Sequence, residues 1–149
     1  ERYYKKDKIT KKQMFFSILF FLYILHVYGS TVFSRLPSTR KYQLEVFWSW
    51  KEIIHPIGRL GSASRYDLLL ENLLNIVMLL PLGLCLPLAY GKSITWKKGL
   101  LIGIYISFSI ELLQLILCRG LFELDDIIHN SLGFLIGILI SNRIMLKCK

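Results

Sequence analysis

Residues 99–118 read GLLIGIYISFSIELLQLILC and residues 127–142 read IIHNSLGFLIGILISN, with only RGLFELDD between them. The first run holds one charged residue, Glu111, and the second holds none. A helix needs about 20 apolar residues to cross the hydrocarbon core. It is also the economical way to satisfy backbone polar groups there. Working outward, residues 72–91 and 13–34 contain no Asp, Glu, Lys or Arg. The pattern predicts an all-α, polytopic membrane protein with four transmembrane helices at 14–33, 68–90, 99–118 and 127–146. Residues 1–149 leave no room for a second domain and are expected to form one unit.

The chain is 54% hydrophobic and 19% charged, against about 45–50% and about 25% in soluble domains. This excludes a soluble enzyme domain, a disordered chain and a soluble basic nucleic-acid binder. The net charge of +9 is then read as topology. Four spans put both termini on one side. Arg2, Lys5, Lys6, Lys8, Lys11 and Lys12 precede the first span, Lys92, Lys97 and Lys98 lie between the second and third, and Arg143, Lys147 and Lys149 end the chain. Those twelve oppose seven on the other side: Arg35, Arg40, Lys41, Lys51, Arg59, Arg65 and Arg119. Cytoplasmic loops retain Lys and Arg, so residues 1–13 and the C-terminus are expected in the cytoplasm and 34–67 outside it. The first apolar run lacks a small-residue cleavage site and is expected to be an anchor. Cys85, Cys118 and Cys148 suggest neither a disulfide framework nor a zinc site.

Within 34–67, Val46, Trp50, Ile53, Ile54 and Ile57 recur at helical spacing and stop near Pro56. This predicts a short amphipathic helix, lying either on the outer leaflet or over the bundle. In the second span, Pro81 should kink the helix, giving a packing bend or a cavity.

The polar residues near the spans share one depth. Asp67, Glu71, Asn72 and Asn75 open the second span, Glu111 and Gln114 lie late in the third, and Asp125, Asp126, His129 and Asn130 open the fourth. All fall toward the expected outer side. Gly99, Gly103, Ser107 and Glu111 recur every four residues, and Asp126, Asn130, Gly133, Gly137 and Ser141 share another helix face. Small residues at this spacing let helices approach closely. The third and fourth spans are therefore expected to be neighbours, with Glu111 near Asp126 and Asn130.

Plainer readings stand beside these. Asn72, Asn75 and Gln114 can be interhelical glue, and Asp125 can cap its own helix. Arg119 can anchor at the interface or pair with Glu111 or Asp126. His129 is expected to make an ordinary polar contact. Glu111, roughly 10 Å inside its helix end, is a functional candidate by default. If there is catalysis, Glu111 and Asp126 are the candidate acid–base groups. No cofactor is expected, although Glu111, Asp125 and Asp126 have the chemistry of a hard-cation site.

Three blocks in order carry a family resemblance: Glu71-Asn72-Leu-Leu-Asn75 leading into Pro81-Leu-Gly83, then Ser107-x-x-x-Glu111-x-x-Gln114, then Arg119 followed by Asp125-Asp126-x-x-x-Asn130-x-x-Gly133. The chain resembles the VanZ-like family of bacterial membrane proteins over about residues 15–142. Phe47-Trp48-Ser49 is similar to a further family block, with Val46 where Pro usually stands. The resemblance implies a multi-pass protein of the bacterial cell membrane. It associates the family with teicoplanin resistance in Gram-positive bacteria, without a settled biochemical activity. The expected partners are membrane lipids, a lipid-linked wall precursor or a lipoglycopeptide, not nucleic acid. The small-residue faces also permit a homo-oligomer. Three readings remain open: a non-enzymatic resistance or envelope factor, an intramembrane enzyme on a lipid-linked precursor, and a small transporter.

Overall fold

The computed structural model describes residues 9–55 and 65–147. Its elements are α1 (Lys11–Tyr28), a π-helical turn (Gly29–Phe33), β1 (Lys41–Gln43), α2 (Trp48–Ile54), α3 (Arg65–Tyr90), α4 (Trp96–Leu117), β2 (Leu121–Glu123) and α5 (Leu124–Lys147). The four expected spans are present: Lys11–Phe33, Arg65–Tyr90, Trp96–Leu117 and Leu124–Lys147 are long and apolar enough to cross a membrane. Each begins a few residues before its apolar run, because polar first turns can still be helical. The Thr10 hydroxyl accepts the Gln13 amide while the Gln13 side chain takes the Thr10 amide, a reciprocal cap that starts α1.

α5 is the central helix and packs on α3 and α4, while α1 leans chiefly on α3. Glycines set these distances. A Cβ on Gly133 would fall on the Ile76 carbonyl, and one on Gly83 would fall on the Phe134 carbonyl. A Cβ on Gly137 would meet the Leu80 carbonyl and the Leu84 amide. α3 and α5 therefore touch backbone to backbone. Gly103 and Gly99 let α4 approach α5, at Ser131 and Phe134 and at Ile138 respectively. The third and fourth spans are neighbours as expected, but the Gly133–Gly137 pair serves the second span. Four-residue spacing identifies a close face without identifying its partner.

The core is one apolar layer of Val27, Val32, Leu79, Leu82, Ile106, Ile110, Phe134 and Ile138. Leu79 and Leu82, on either side of Pro81 in the chain, are fully buried, and α3 runs through Pro81 and Pro87 as one helix. The Tyr23 hydroxyl donates to the Met78 carbonyl at 3.1 Å, next to the Val77 carbonyl that Pro81 leaves without its helical donor. At the Lys-rich end, Asn142 clasps the α3–α4 turn. It accepts the Ile94 amide at 3.2 Å and donates to the Ile94 carbonyl at 2.7 Å.

The other end carries a feature absent from the sequence reading. β1 and β2 pair in parallel, with Lys41 opposite Leu121 and Gln43 opposite Glu123. This ties the stretch after α1 to the α4–α5 connection. α2 lies where an amphipathic helix was expected and docks on α3. Its Ser49 and Glu52 are buried, while Val46, Phe47 and Ile54 beside and on it are exposed. Trp48, Trp50 and Ile53 are half-buried and Lys51 is exposed, so the two residues that α2 buries fully are polar. Pro56, Ile57 and Arg59 lie outside the described residues, as do Cys148, Lys149 and the basic residues before Ile9.

Candidate functional site

The two acids in the first turn of α5 divide the work. Asp125 does not cap its own helix. Its Oδ2 accepts the Ser49 hydroxyl at 2.8 Å and the Ser49 amide at 3.2 Å, and its Oδ1 accepts the Phe47 amide. Phe47 starts α2 in a left-handed conformation (φ 59°) and offers no side-chain cap, so Asp125 supplies that cap from another helix. The Asn72 amide donates to the Ser49 hydroxyl at 3.2 Å, which brings α3 into the same knot. One turn along α5, His129 Nε2 accepts the Trp50 indole N–H at 2.8 Å, an ordinary polar contact.

Asp126 points the other way. The Asn75 amide donates to its Oδ1 at 2.6 Å. Its backbone carbonyl accepts from the Ser107 hydroxyl at 3.4 Å, and that hydroxyl in turn accepts from the Asn130 amide at 3.0 Å. Glu111 Oε2 accepts the Glu123 amide at 3.0 Å, so the carboxylate of α4 holds the β2–α5 junction. Glu111 and Asp126 interact electrostatically, as the sequence led one to expect. Asn130 reaches the same network through Ser107.

Glu123 completes the group. Its side chain is within hydrogen-bond reach of Asp126. Burial raises its pKa from an ordinary 4.5 to about 8, and the negative charges of Asp126, Glu71, Glu111 and Asp125 add to the rise. At neutral pH Glu123 therefore mostly keeps its proton and can donate it to Asp126. Glu111 lies in the same electrostatic group, while Glu71 is exposed at the edge.

Of the two readings open for Arg119, the structure shows contacts at the helix end. Arg119 donates to the Phe33 carbonyl at 2.8 Å, and its own amide donates to the Gln114 carbonyl at 2.9 Å. It ties the π-helical turn to the end of α4, and among the described residues no ion pair joins it to Glu111 or Asp126. Arg35 provides the charge that reaches both acids. Its Nη1 would lie 2.8 Å from a Cβ on Gly120, so Gly120 makes room for it. Gln114 donates to the Thr31 carbonyl at 3.1 Å, fastening the π-helical turn to α4 as helix glue.

A match to a family model now decides the identity. The model described as VanZ/LLP1 matches residues 14–146. The chain belongs to the VanZ/LLP1 family. No curated protein and no solved structure matches it. The family blocks quoted from the sequence converge at one end of this VanZ/LLP1 fold. Asn75, Glu111, Asp126 and Asn130 join the carboxyl network, while Asn72 and Asp125 hold α2 over it. Gln114 and Arg119 brace the π-helical turn against the end of α4. Pro81, Gly83, Gly99, Gly103, Gly133 and Gly137 shape the helix contacts below.

Arg35, Ser49, Glu52 and Glu123 were not singled out as site residues. Ser49 had a signal in the Phe47-Trp48-Ser49 block. Glu123 had one as an acid beside the Asp pair. Arg35 and Glu52 had none, because their places depend on how the long connection folds back. As to a metal, the two oxygens of Asp125 are taken by α2. Among the described residues, no three of His, Cys, Asp and Glu converge as a metal-ligand set.

Proposed function

We propose that this multi-pass membrane protein acts in the envelope of a Gram-positive bacterium. In this reading its carboxyl–arginine site opens to the outer leaflet and binds the polar head of a lipid-linked wall precursor or of a lipid-tailed glycopeptide. It thereby contributes to teicoplanin resistance or to envelope homeostasis. The observation that carries the reading is the grouping of Glu111, Glu123 and Asp126 with Arg35 under α2. Ionisable groups at membrane depth are expensive and usually serve a site. A site with both signs of charge suits a zwitterionic head. The excess of Lys and Arg at the opposite end supports an outward orientation.

The test is teicoplanin susceptibility in a sensitive Gram-positive host carrying empty vector, wild type or Asp126→Asn, with membrane levels matched. Protection by wild type that Asp126→Asn loses supports the reading. Absence of protection by wild type removes the resistance role, and lipid analysis of a deletion strain then tests the envelope role.

A second reading is acid–base catalysis on a lipid-linked precursor, favoured by the raised pKa of Glu123 beside Asp126. It requires that Glu111→Gln abolish turnover with fold and level intact.

A further inference from the structure

At the end of the bundle away from the carboxyl site, α1 and α4 do not close over α3. They are joined near the site by the Tyr28–Ser109 hydroxyl contact, the Gln114–Thr31 bond and the Arg119–Phe33 bond. Beyond those ties, α1 follows α3 and α4 follows α5, and the surface of α3 between them stays open. Leu86 and Tyr90 form its floor. On the α4 side a lobe of about 280 Å³ is walled by Ile94, Lys98 and Ile102. On the α1 side a lobe of about 380 Å³ is walled by Ser17, Phe20 and Phe21. The larger lobe falls within the range of small-ligand sites, about 300 to 1,000 Å³, and the smaller lies just below it.

The chemistry of the cleft is graded. Leu86, Ile102 and Phe20 lie inward and pack on the core. Lys98 and Tyr90 lie one helical turn nearer the bundle end. Lys97 is engaged over the Trp96 ring, 5.6 Å from its centroid, which leaves Lys98 as the lysine that lines the cleft. Among the described residues every acid falls within 45–71 or 111–126, remote from this mouth. Lys92, Lys147 and Arg143 belong to the same end. Basic pockets between transmembrane helices recognise anionic lipid heads.

We propose that this cleft is a binding site for one anionic phospholipid. An acyl chain lies along Leu86 between α1 and α4, and the phosphate meets Lys98 at the mouth. The proposal does not depend on the carboxyl site or on which end faces the cytoplasm.

The test is native mass spectrometry of the full chain in mild detergent, with equimolar phosphatidylglycerol and phosphatidylcholine of identical acyl chains. Wild type should retain phosphatidylglycerol about fivefold over phosphatidylcholine, the preference one lysine supplies at a lipid surface. Lys98→Gln, at an exposed position, should bring the ratio close to one, while Lys97→Gln should leave it unchanged. Ser17→Trp, which fills the α1-side lobe from an exposed position, should lower retention of both lipids. Equal retention of the two lipids by wild type would overturn the proposal. So would equal losses in Lys97→Gln and Lys98→Gln, which mark diffuse attraction, or undiminished retention in Ser17→Trp.

Discussion

Asp125 and Ser49, 76 residues apart, are joined twice: the carboxylate accepts the Ser49 hydroxyl at 2.8 Å and its amide at 3.2 Å. An isolated seven-residue helix is too short to persist by itself. α2 therefore depends on this cap, on the Trp50–His129 bond and on docking against α3. Asp125→Ala should leave the four long helices intact and free α2, at a cost of about 1–3 kcal/mol. Faster proteolysis within residues 34–67, with unchanged far-UV circular dichroism, would be the signature. Protease resistance equal to wild type would show that docking alone holds α2.

The Asn75 amide lies 2.6 Å from Asp126 Oδ1 and fixes that carboxylate from α3. Asn75→Ala removes the donor and leaves the acid, whereas Asp126→Asn removes the charge. If Asp126 acts through its charge, Asn75→Ala should weaken protection partly and Asp126→Asn should abolish it. A double-mutant cycle on stability should give a coupling of about 0.6–2 kcal/mol, the range for polar pairs between membrane helices. Additive stability effects would show that the pair does not act as a unit.

Arg35 and Arg119 should separate cleanly. Arg35 bears on Glu111 and Asp126, while Arg119 fastens the Phe33 carbonyl. Arg35→Gln should impair protection with little change in melting temperature. Arg119→Gln should lower the melting temperature, with a loss of about 0.5–3 kcal/mol for a broken hydrogen bond. The reverse pattern would give Arg119 the acid-pairing role, the other reading open for it.

That division between the arginines shows where sequence reading succeeds here and where it stops. Unbroken apolar runs report helices crossing hydrocarbon, since the bilayer allows few alternatives. Depth follows from counting along each run, which is how Glu111 and Asp126 came to share a level. The stretch after the first span has no such ruler. β1 pairs with β2, and Asp125 binds Phe47 and Ser49, across separations of nearly 80 residues. Hydropathy of α2 alone cannot say that Ser49 and Glu52 are the residues it buries fully at an acid-rich bundle end.

The glycine contacts rank by what they meet. A Cβ on Gly133 would meet the Ile76 backbone, which cannot yield, whereas one on Gly99 would lie 3.2 Å from the Ile138 side chain. Gly133→Ala should therefore push α3 from α5 and cost at least the about 1–3 kcal/mol of an overpacked core. Gly99→Ala should cost less, because Ile138 can shift. Melting in detergent would order them, and equal losses would contradict the backbone contact.

Glu123 provides the pH dependence. Its folded pKa, near 8, lies above the ordinary 4.5, so in that interval the folded state binds more protons than the unfolded state. Stability from this group is full below pH 4.5 and is lost as pH rises toward 8. Glu123→Gln keeps a donor for Asp126 and removes the titration. Melting temperature in detergent should fall between pH 5 and pH 8 in wild type and fall less in Glu123→Gln, over the interval set by the two values above. An equal slope in both proteins would assign the titration to another carboxyl of the cluster. A rising melting temperature over that interval would mean that Glu123 is ionised in the folded protein.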